Sequence, residues 1–424
     1  GTEAALLNGL VKAALESGVE LKSNTSSGLD KLKDWTADAD DKMMSDVCGV
    51  DADAVKAAAK LLAESESALI VYGPMAAQGD AGREVMEGLV NLAALTGHYE
   101  RLAYVGLDAN SQGCRDMGVL PDQLPGRASL SDEAAQRRLR ATWGSAVPTT
   151  AGKTYTQMLN AAGDGIKALY VMGANPASER PEWATNLDKL DLLIVQETFN
   201  TETTAIADVV LPALTWAEQD GTFTNLERRV QRAVKAIDSN DSRAAADWMI
   251  LDHLVNRMGM DWPFADLRGI TKEITRTVPM YAGLSWEALG DQGLQWDAAA
   301  ARPRPSYRQA KQGDVPADQD YPMALVSGTV LFDGGTLFYN NETLRNIAFP
   351  TVVAIHPSDA ESLSLAEGTP VSVRSPYGAL DLAVKVDAQV QPGTAWIPES
   401  LPGAPVGALL NGRVVQGVKI EKRD

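Results

Sequence analysis

Two short apolar runs that end in polar residues constrain the fold of this chain more than any other feature. The run Leu192–Val195 predicts a strand, and Gln196, Glu197 and a series of hydroxyl and amide side chains follow it directly. A second run, Asp208–Leu211, predicts another strand, which Pro212 ends. Polar groups at the carboxyl ends of strands are where open α/β sheets bind ligands, whereas such loops also serve simply to satisfy backbone groups. The pattern alone leaves both interpretations open.

Two further apolar runs, Ala68–Tyr72 and Ala168–Met172, predict buried strands that are each followed by a glycine-containing loop. After the first of them, Gly73–Gly82 leads into a predicted helix, Glu84–Leu95. Strand, loop and helix in this order are typical of nucleotide sites, but the glycine spacing matches neither G-x-G-x-x-G nor a Walker A sequence. We therefore interpret this loop as structural.

Composition and charge exclude several classes of protein. The chain has 424 residues, enough for two or three domains, and a net charge of −18, which argues against a nucleic-acid surface. Its longest apolar runs fall short of a membrane span. Cys48 and Cys114 form no C-x-x-C pair, and His98, His253 and His356 are scattered. We therefore predict that this chain binds no metal.

From Met323 onward the pattern changes to short strands separated by turn signals. The predicted strands are Met323–Ser327, Thr351–Ile355, Pro370–Arg374, Leu380–Val386 and Ala395–Ile397. This region is therefore expected to be mainly β-structure.

Residues 261–320 lie between these regions and contain several prolines, which predict an irregular connection with one short helix near Leu284–Leu289. Trp286 and Trp296 would be costly to leave in water, so we expect this segment to lie on a surface used by partners. The helix before it is expected to bury one apolar face, formed by Trp248, Leu251, Leu254 and Val255.

Several ordered motifs resemble the molybdopterin oxidoreductase family. They are ADVVLPA at 207–213, E-x-x-G-T-x-x-N-x-E-x-R-x-Q at 218–231, N-x-Q-G-x-x-D-x-G at 110–118 and HPSDAESLSLAEGTPVSVRSPYG at 356–378. The resemblance covers Gly1 to about Met258 and again Pro322 to Lys419. It implies an α/β fold with two Rossmann-like lobes, at 1–107 and 108–260. An irregular linker at 261–320 and a C-terminal double-psi β-barrel at 321–424 complete the implied architecture.

The same resemblance implies where a pterin dinucleotide would lie. The positions that match are Gly173, Asn175, Pro176, Gln196, Glu197, Gly221, Thr222 and Asn225. We expect these polar strand ends to converge on a vestigial cleft that holds no cofactor. No metal ligand or catalytic residue is evident. Arg228 and Arg229 are candidates to supply charge for the phosphates, but they follow Glu227 and are as readily paired with acidic neighbours. The early barrel sequence GTVLFDGGTLFYNN carries only one charged residue, Asp333.

Within the family, the sequence L-F-D-G-G-T-L at 331–337 looks like the complex I branch, whose member is the large iron–sulfur subunit of NADH-quinone oxidoreductase. That branch implies a structural, non-redox part of the peripheral arm. Its partners would be other peripheral-arm subunits and an upstream iron–sulfur-binding segment, with FMN and the clusters held elsewhere in the complex. The location implied is the cytoplasmic face of the bacterial inner membrane, or the matrix side in mitochondria, without a span of its own.

Two other functions stay open. One is the C-terminal part of a catalytic, formate dehydrogenase-like enzyme, for which molybdopterin would be the cofactor. The other is a free-standing scaffold or binding module derived from the same fold. Gly1 is not an initiator methionine, so we expect a processed or partial chain.

Overall fold

The computed structural model describes residues 1–23, 25, 28–77, 81–241, 243–260, 262, 264–297, 305–312, 319–332, 335–399 and 403–423. The chain divides into two compact units. The first comprises Gly1–Ala103, Ser178–Pro181 and Arg304–Asp424, and the second comprises Tyr104–Ala177 and Glu182–Pro303. The domain limits predicted at residues 107, 260 and 320 stay a prediction.

The regular elements alternate between helices and strands up to about residue 295 and become mainly strands after residue 323. The α-helices are Glu3–Glu16, Leu29–Trp35, Asp41–Asp46, Ala52–Glu64, Gly82–Leu95, Ser111–Asp116, Glu133–Trp143, Tyr155–Asn160, Pro176–Glu179, Pro181–Leu187, Glu202–Ala205, Asp247–Arg257, Leu267–Thr277, Thr336–Tyr339, Glu342–Arg345, Pro357–Ser362 and Gly407–Leu410. The strands are Ile70–Tyr72, Leu102–Tyr104, Gln123–Leu124, Ala128–Ser129, Ala168–Met172, Leu192–Glu197, Val209–Pro212, Gly221–Thr224, Arg229–Ala233, Leu294–Gln295, Met323–Gly328, Val352–Ile355, Pro370–Arg374, Ala379–Val386, Thr394–Pro398 and Val415–Lys422.

The helical part of the first unit is built around amphipathic helix Glu3–Glu16. Its residues Ala4, Leu7, Val11 and Ala14 are buried in a common core with residues of helices Ala52–Glu64 and Gly82–Leu95. Tyr307, which lies in the segment predicted as a linker, is also part of this core. Residues 305–312 are therefore packed into the first unit rather than forming a free connection.

The side chain of Asn91 holds residues 305–312 in place by two hydrogen bonds to the backbone of Arg308. The backbone N–H of Arg308 donates to Asn91 Oδ1 at 3.0 Å, and Asn91 Nδ2 donates to the Arg308 carbonyl at 2.6 Å. The buried amide of Asn91 both accepts from and donates to the backbone of Arg308, as a neighbouring strand would. It therefore holds Arg308 in a defined position.

Six strands of the first unit close into a β-barrel. In spatial order they are Met323–Gly328, Thr394–Pro398, Val352–Ile355, Ala379–Val386, Pro370–Arg374 and Val415–Lys422. The first and second strands of this order pair in parallel, as do the third and fourth, and the other pairs are antiparallel. Inward-facing Leu325, Val353, Val371 and Ile397 are fully buried in the barrel core. The prediction of an α/β chain that ends in a β-barrel is confirmed.

The second unit contains a parallel sheet and an antiparallel hairpin sheet. Strands Ala168–Met172, Leu192–Glu197 and Val209–Pro212 are parallel neighbours in that order, as predicted for an open α/β lobe. Strands Gly221–Thr224 and Arg229–Ala233 form the hairpin, and Leu294–Gln295 pairs with the second of them.

The structure of the 261–320 segment differs from the sequence prediction. The predicted helix near Leu284–Leu289 is wrong, because residues 284–289 form irregular backbone and a turn. A helix is present earlier, at Leu267–Thr277, where Asp266 accepts a hydrogen bond from Gly269 N. The Trp296 side chain is buried in the core of the second unit. Its backbone N–H donates to the Arg228 carbonyl and so attaches this residue to the hairpin. Trp286 is half-buried with Arg232 above its ring. The interface prediction therefore keeps only one of its two tryptophans.

Within the described residues, no helix has both the length and the apolar character that crossing a membrane requires. In that same part of the chain, no group of three or more His, Cys, Asp or Glu side chains is arranged to hold a metal ion.

Candidate functional site at the strand ends

The carboxyl ends of the parallel strands bring together five of the eight predicted pocket residues. Met172 lies opposite Gln196 in the sheet, and the backbone N–H of Gly173 donates to the Gln196 carbonyl at 2.9 Å. Glu197 continues the same strand and lies opposite Pro212. The register thus places Gly173–Pro176 and Gln196–Glu197 at one edge of the sheet, as the sequence pattern predicts.

The Gly173–Pro176 turn is held by neighbouring side chains. Gly173 has φ +58°, a left-handed conformation that favours glycine, and it leads directly to Asn175. Asn175 Oδ1 accepts hydrogen bonds from Thr203 N at 3.1 Å and from Thr203 Oγ1 at 2.8 Å. Asn175 Nδ2 donates to Glu202 Oε2 at 2.6 Å. The Asn175 amide therefore ties the end of one strand to the helix that follows the next.

Gln196 is fully buried and lies within a network of side chains. Its Oε1 accepts a hydrogen bond from the Tyr170 hydroxyl, and its Nε2 donates to Asp247 Oδ1. The other carboxylate oxygen of Asp247 accepts from Gln219 Nε2 at 3.0 Å. Burial, and then the charge of Asp247, raise the pKa of the Tyr170 phenol, so this ring stays a neutral donor at neutral pH.

Glu197 is only half-buried and keeps part of its accepting capacity. Its Oε1 accepts a hydrogen bond from the backbone N–H of Thr198 at 2.7 Å. A carboxylate has further lone pairs, so Glu197 is the group at this edge best suited to accept from an external N–H.

The remaining three predicted residues, Gly221, Thr222 and Asn225, belong to the hairpin rather than to the ends of the parallel strands. The sequence predicts that these residues lie at polar strand ends facing the cleft, but Gly221–Thr224 is itself a strand, because it pairs with Arg229–Ala233. Asn225 forms the turn: its Oδ1 accepts from the backbone N–H groups of Glu227 and Arg229 at 2.9 and 3.0 Å. The polar character of this stretch therefore reflects hairpin structure.

The two arginines of the hairpin are engaged within it. Arg229 forms an ion pair with Glu227 at 3.6 Å and donates to the Gly293 carbonyl at 3.3 Å. The guanidinium of Arg228 lies 5.5 Å from the ring centroid of Trp296. Both cations thus have partners in the second unit.

The Asn110–Gly118 motif has a structural role that the sequence did not reveal. Asn110 Oδ1 accepts a hydrogen bond from Thr224 N at 2.9 Å, and an added Cβ at Gly113 would lie 2.2 Å from that same oxygen. Asp116 is fully buried and accepts hydrogen bonds from Tyr281 at 3.0 Å and from Gln112 at 2.8 Å. The motif therefore anchors the hairpin and the segment around Tyr281.

Sequence reasoning missed four residues of these networks: Tyr170, Gln219, Asp247 and Tyr281. Tyr170 lies in a run predicted as a buried strand, where a tyrosine hydroxyl needs a polar partner, and this was the available signal. Asp247 directly precedes the apolar helix face, where an acidic residue is readily explained by the helix dipole. Nothing in the local pattern of Tyr281 indicates its partner, which is 165 residues away.

Comparison with protein families gives two matches. Residues 14–257 match the family described as Molybdopterin oxidoreductase, and residues 323–419 match the Molydopterin dinucleotide binding domain. The second match coincides with the β-barrel, and the first contains all eight predicted pocket residues.

Relatives with different reactions match at almost equal identity. The chain is 31% identical over 94% of its length to F420-dependent formate dehydrogenase 1 subunit alpha of Methanococcus maripaludis. It is 32% identical over its full length to NADPH-Fe(3+) oxidoreductase subunit alpha of Geobacter sulfurreducens. It is also 32% identical over 84% of its length to the G 2 subunit of NADH-quinone oxidoreductase from Rhizobium meliloti. These matches cover 63%, 50% and 42% of the respective relatives.

Among solved structures, acetylene hydratase from Pelobacter acetylenicus superimposes with a TM-score of 0.76 at 17% identity. The superposition covers the whole of this chain and 70% of the other. At this identity the likeness concerns the fold alone.

Proposed function

Because this chain belongs to the molybdopterin oxidoreductase family, we propose that it is a structural, non-redox part of a respiratory NADH:quinone oxidoreductase. Its partners would then be other peripheral-arm subunits and an iron–sulfur-binding segment of the same subunit. The proposal places it at the cytoplasmic face of the membrane, or on the matrix side in mitochondria. FMN and the iron–sulfur clusters would be held by those partners.

The observation that carries this proposal is that the side chains at the strand ends satisfy one another. Asn175 is bound to Thr203 and Glu202, while Gln196 is bound to Tyr170 and Asp247. A ligand that needs these amides would have to break hydrogen bonds in a partly buried network, at a cost on the order of 1–3 kcal/mol for each group left unpaired.

Charge at the strand ends supports the same conclusion. The side chains of this edge contribute three carboxylates, those of Glu197, Glu202 and Asp247, whereas Arg228 and Arg229 contact groups in and beside the hairpin. A pterin dinucleotide carries phosphates, which proteins bind with cations and free backbone N–H groups. This distribution of charge supports the proposal that the chain holds no pterin dinucleotide.

A formate dehydrogenase-like enzyme is the second candidate. The 31% identity to the Methanococcus maripaludis formate dehydrogenase subunit favours it, and so does Glu197, whose free lone pairs suit the N–H groups of a guanine. In such an enzyme, molybdopterin would supply the redox chemistry, and Glu197 would orient the nucleotide end.

Cofactor analysis of the native full-length protein separates the two candidates. We expect no molybdenum or tungsten by mass spectrometry and no fluorescent pterin after oxidative release. NADH:quinone activity should depend on the presence of this subunit, and formate should not reduce an artificial acceptor. A stoichiometric pterin together with formate-dependent reduction would overturn the proposal.

A matched variant sharpens this test. Under the structural proposal, Glu197→Gln should leave NADH:quinone activity and cofactor content unchanged, because the side chain is half-exposed and accepts only one identified hydrogen bond. Under the alternative, the same variant should lose pterin, because an amide nitrogen would face the guanine donors.

A further inference from the structure

An aromatic cleft in the second unit lies apart from the strand ends. Four rings line it, those of Trp143, Trp248, Trp262 and Phe264, together with the carboxylates of Asp252 and Glu273. Its volume is about 240 Å³. Helices Glu133–Trp143, Asp247–Arg257 and Leu267–Thr277 supply most of its wall. We refer to these residues as the aromatic cleft.

The helix that carries Trp248 covers its predicted apolar face only in part. Trp248, Leu251, Leu254 and Val255 are half-buried, whereas Met249 and His253 on the other side are exposed. No residue of helix Asp247–Arg257 is fully buried. Trp248 and Leu251 border the cleft, so part of the apolar face is left accessible there.

The aromatic cleft is distinct from the predicted pterin pocket, because none of the eight predicted pocket residues lines it. The two family matches end at residue 257 and resume at residue 323. Trp262, Phe264 and Glu273 lie between those limits, whereas Trp143, Trp248 and Asp252 lie within the first match.

The two carboxylates of the cleft differ in their environment. Glu273 Oε1 accepts a hydrogen bond from Trp143 Nε1 at 3.0 Å, so it orients that indole ring. Asp252 Oδ1 is buried and has no hydrogen-bond partner among the described residues. No lysine or arginine is among the described residues that line the cleft. Aromatic faces beside an unpaired carboxylate are the chemistry that recognises an organic cation.

Size and surroundings favour a protein side chain over a free ligand. A volume of 240 Å³ is below the range of roughly 300–1,000 Å³ that is typical of small-molecule pockets. Trp143 and Trp262 are 44% and 39% exposed. Met258 and Met260, which follow helix Asp247–Arg257, are 67% and 54% exposed. Exposed tryptophans and methionines beside a small pocket are typical of the centre of a protein–protein interface.

We propose that the aromatic cleft is a docking site for a partner polypeptide, which inserts one lysine or arginine side chain among the four rings and against Asp252. The alkyl part of such a side chain would lie on the rings, and its charge would pair with the carboxylate. The net charge of −18 favours a basic partner surface. This docking site rests on the proposed function only in requiring that the chain works within a multi-subunit assembly.

Hydroxyl-radical footprinting of the native assembly tests the docking site. We expect Trp143 and Trp262 to be oxidised several-fold more slowly in the intact assembly than in the full-length subunit after its dissociation at high salt. Asp252→Asn should weaken the subunit's association by about tenfold or more and abolish the protection of the rings. Asp188→Asn, the same charge change on an exposed residue outside the cleft, should leave both unchanged.

Equal oxidation of the two rings in the assembled and dissociated states would overturn the docking site. Protection that persists in Asp252→Asn would overturn the role of the cation. Protection of the isolated subunit by millimolar benzyltrimethylammonium, without protection in the assembly, would assign the cleft to a small free cation instead. A pterin in the native protein would overturn the proposed function but would leave these footprints unchanged, so the two failures are distinguishable.

Discussion

The hydroxyl of Tyr281 donates a hydrogen bond to Asp116 Oδ2 at 3.0 Å, and the two residues are 165 positions apart in the chain. The same hydroxyl lies 2.6 Å from Thr224 Oγ1 in the hairpin. Since the phenol donates to the carboxylate, the threonine hydroxyl is the donor to the phenol. One buried tyrosine thus joins the Asn110–Gly118 motif to the hairpin.

Removing this hydroxyl should destabilise the second unit. In Tyr281→Phe, one oxygen of the buried Asp116 loses its donor and Thr224 loses its acceptor, so we expect a loss of about 1–3 kcal/mol in the free energy of unfolding. Urea unfolding measures this loss. Tyr377→Phe is the matched control, because Tyr377 is about half-exposed, and its change should stay within about 0.5 kcal/mol. A Tyr281→Phe protein as stable as the wild type would contradict the role of the bond.

Asp116 should make the stability of the second unit depend on pH. Burial raises the pKa of its carboxyl above the ordinary value of 3.8, and the hydrogen bonds from Tyr281 and Gln112 oppose this effect. A carboxyl whose pKa is raised in the folded state stabilises most below its unfolded pKa, and this contribution is lost as the pH rises through the folded value. The wild type should therefore lose stability relative to Asp116→Asn as the pH rises from the ordinary value of 3.8 through the raised pKa of the folded state.

Unfolding at a series of pH values measures this difference. Asp241→Asn is the control, because Arg243 lowers the pKa of the exposed Asp241 to about 2, so its ionisation is complete below this pH range. Parallel pH profiles for the wild type and Asp116→Asn would show that burial does not perturb the carboxyl.

A negative charge at Asn175 should disrupt the Gly173–Pro176 turn. In Asn175→Asp the side chain would no longer donate to Glu202 and would instead place a second carboxylate beside it. Because the pair is exposed, the repulsion should lower the free energy of unfolding by about 1 kcal/mol at neutral pH. The double variant with Glu202→Gln should recover the lost stability, and a double-mutant cycle with no coupling would contradict this contact.

The Gly113 position should not tolerate a side chain. A Cβ at this position would lie 2.2 Å from Asn110 Oδ1, so Gly113→Ala must displace the amide that accepts from Thr224 N. We expect a loss of about 1–3 kcal/mol in unfolding free energy and faster amide exchange at Thr224. Gly221→Ala is the comparison, because no atom lies within 4 Å of its Cβ position, and it should be nearly neutral.

The sequence predicts those elements whose apolar pattern is local and continuous. The strand predicted at Ala168–Met172 has the same limits in the structure, because the run is bounded by Lys167 and by Gly173 with its positive φ. Helix Leu267–Thr277 was not predicted, because its sequence LRGITKEITRT is rich in threonine and contains a glycine, which are weak helix formers. Its cap at Asp266 and the packing of Ile274 against the core stabilise it instead.

The candidate site shows the same division. The position of Gln196 at a strand end follows from its sequence, but its burial against Tyr170 and Asp247 depends on segments that come together only in the folded chain. The resemblance predicts that Gly221, Thr222 and Asn225 face the cleft, whereas pairing of Gly221–Thr224 with Arg229–Ala233 makes them part of a hairpin. Local pattern therefore predicts where polar groups lie but not what they bind.

The order of strands in the barrel has a consequence for biosynthesis. Strand Val415–Lys422 pairs with both Met323–Gly328 and Pro370–Arg374, so it closes the ring between strands that are made much earlier. Until the ribosome has released this strand, its two neighbours present unpaired N–H and C=O groups, as open sheet edges do. Ribosome-bound chains that end before residue 415 should therefore be the species that chaperones retain, while the helical region around Glu3–Glu16 is already free to fold.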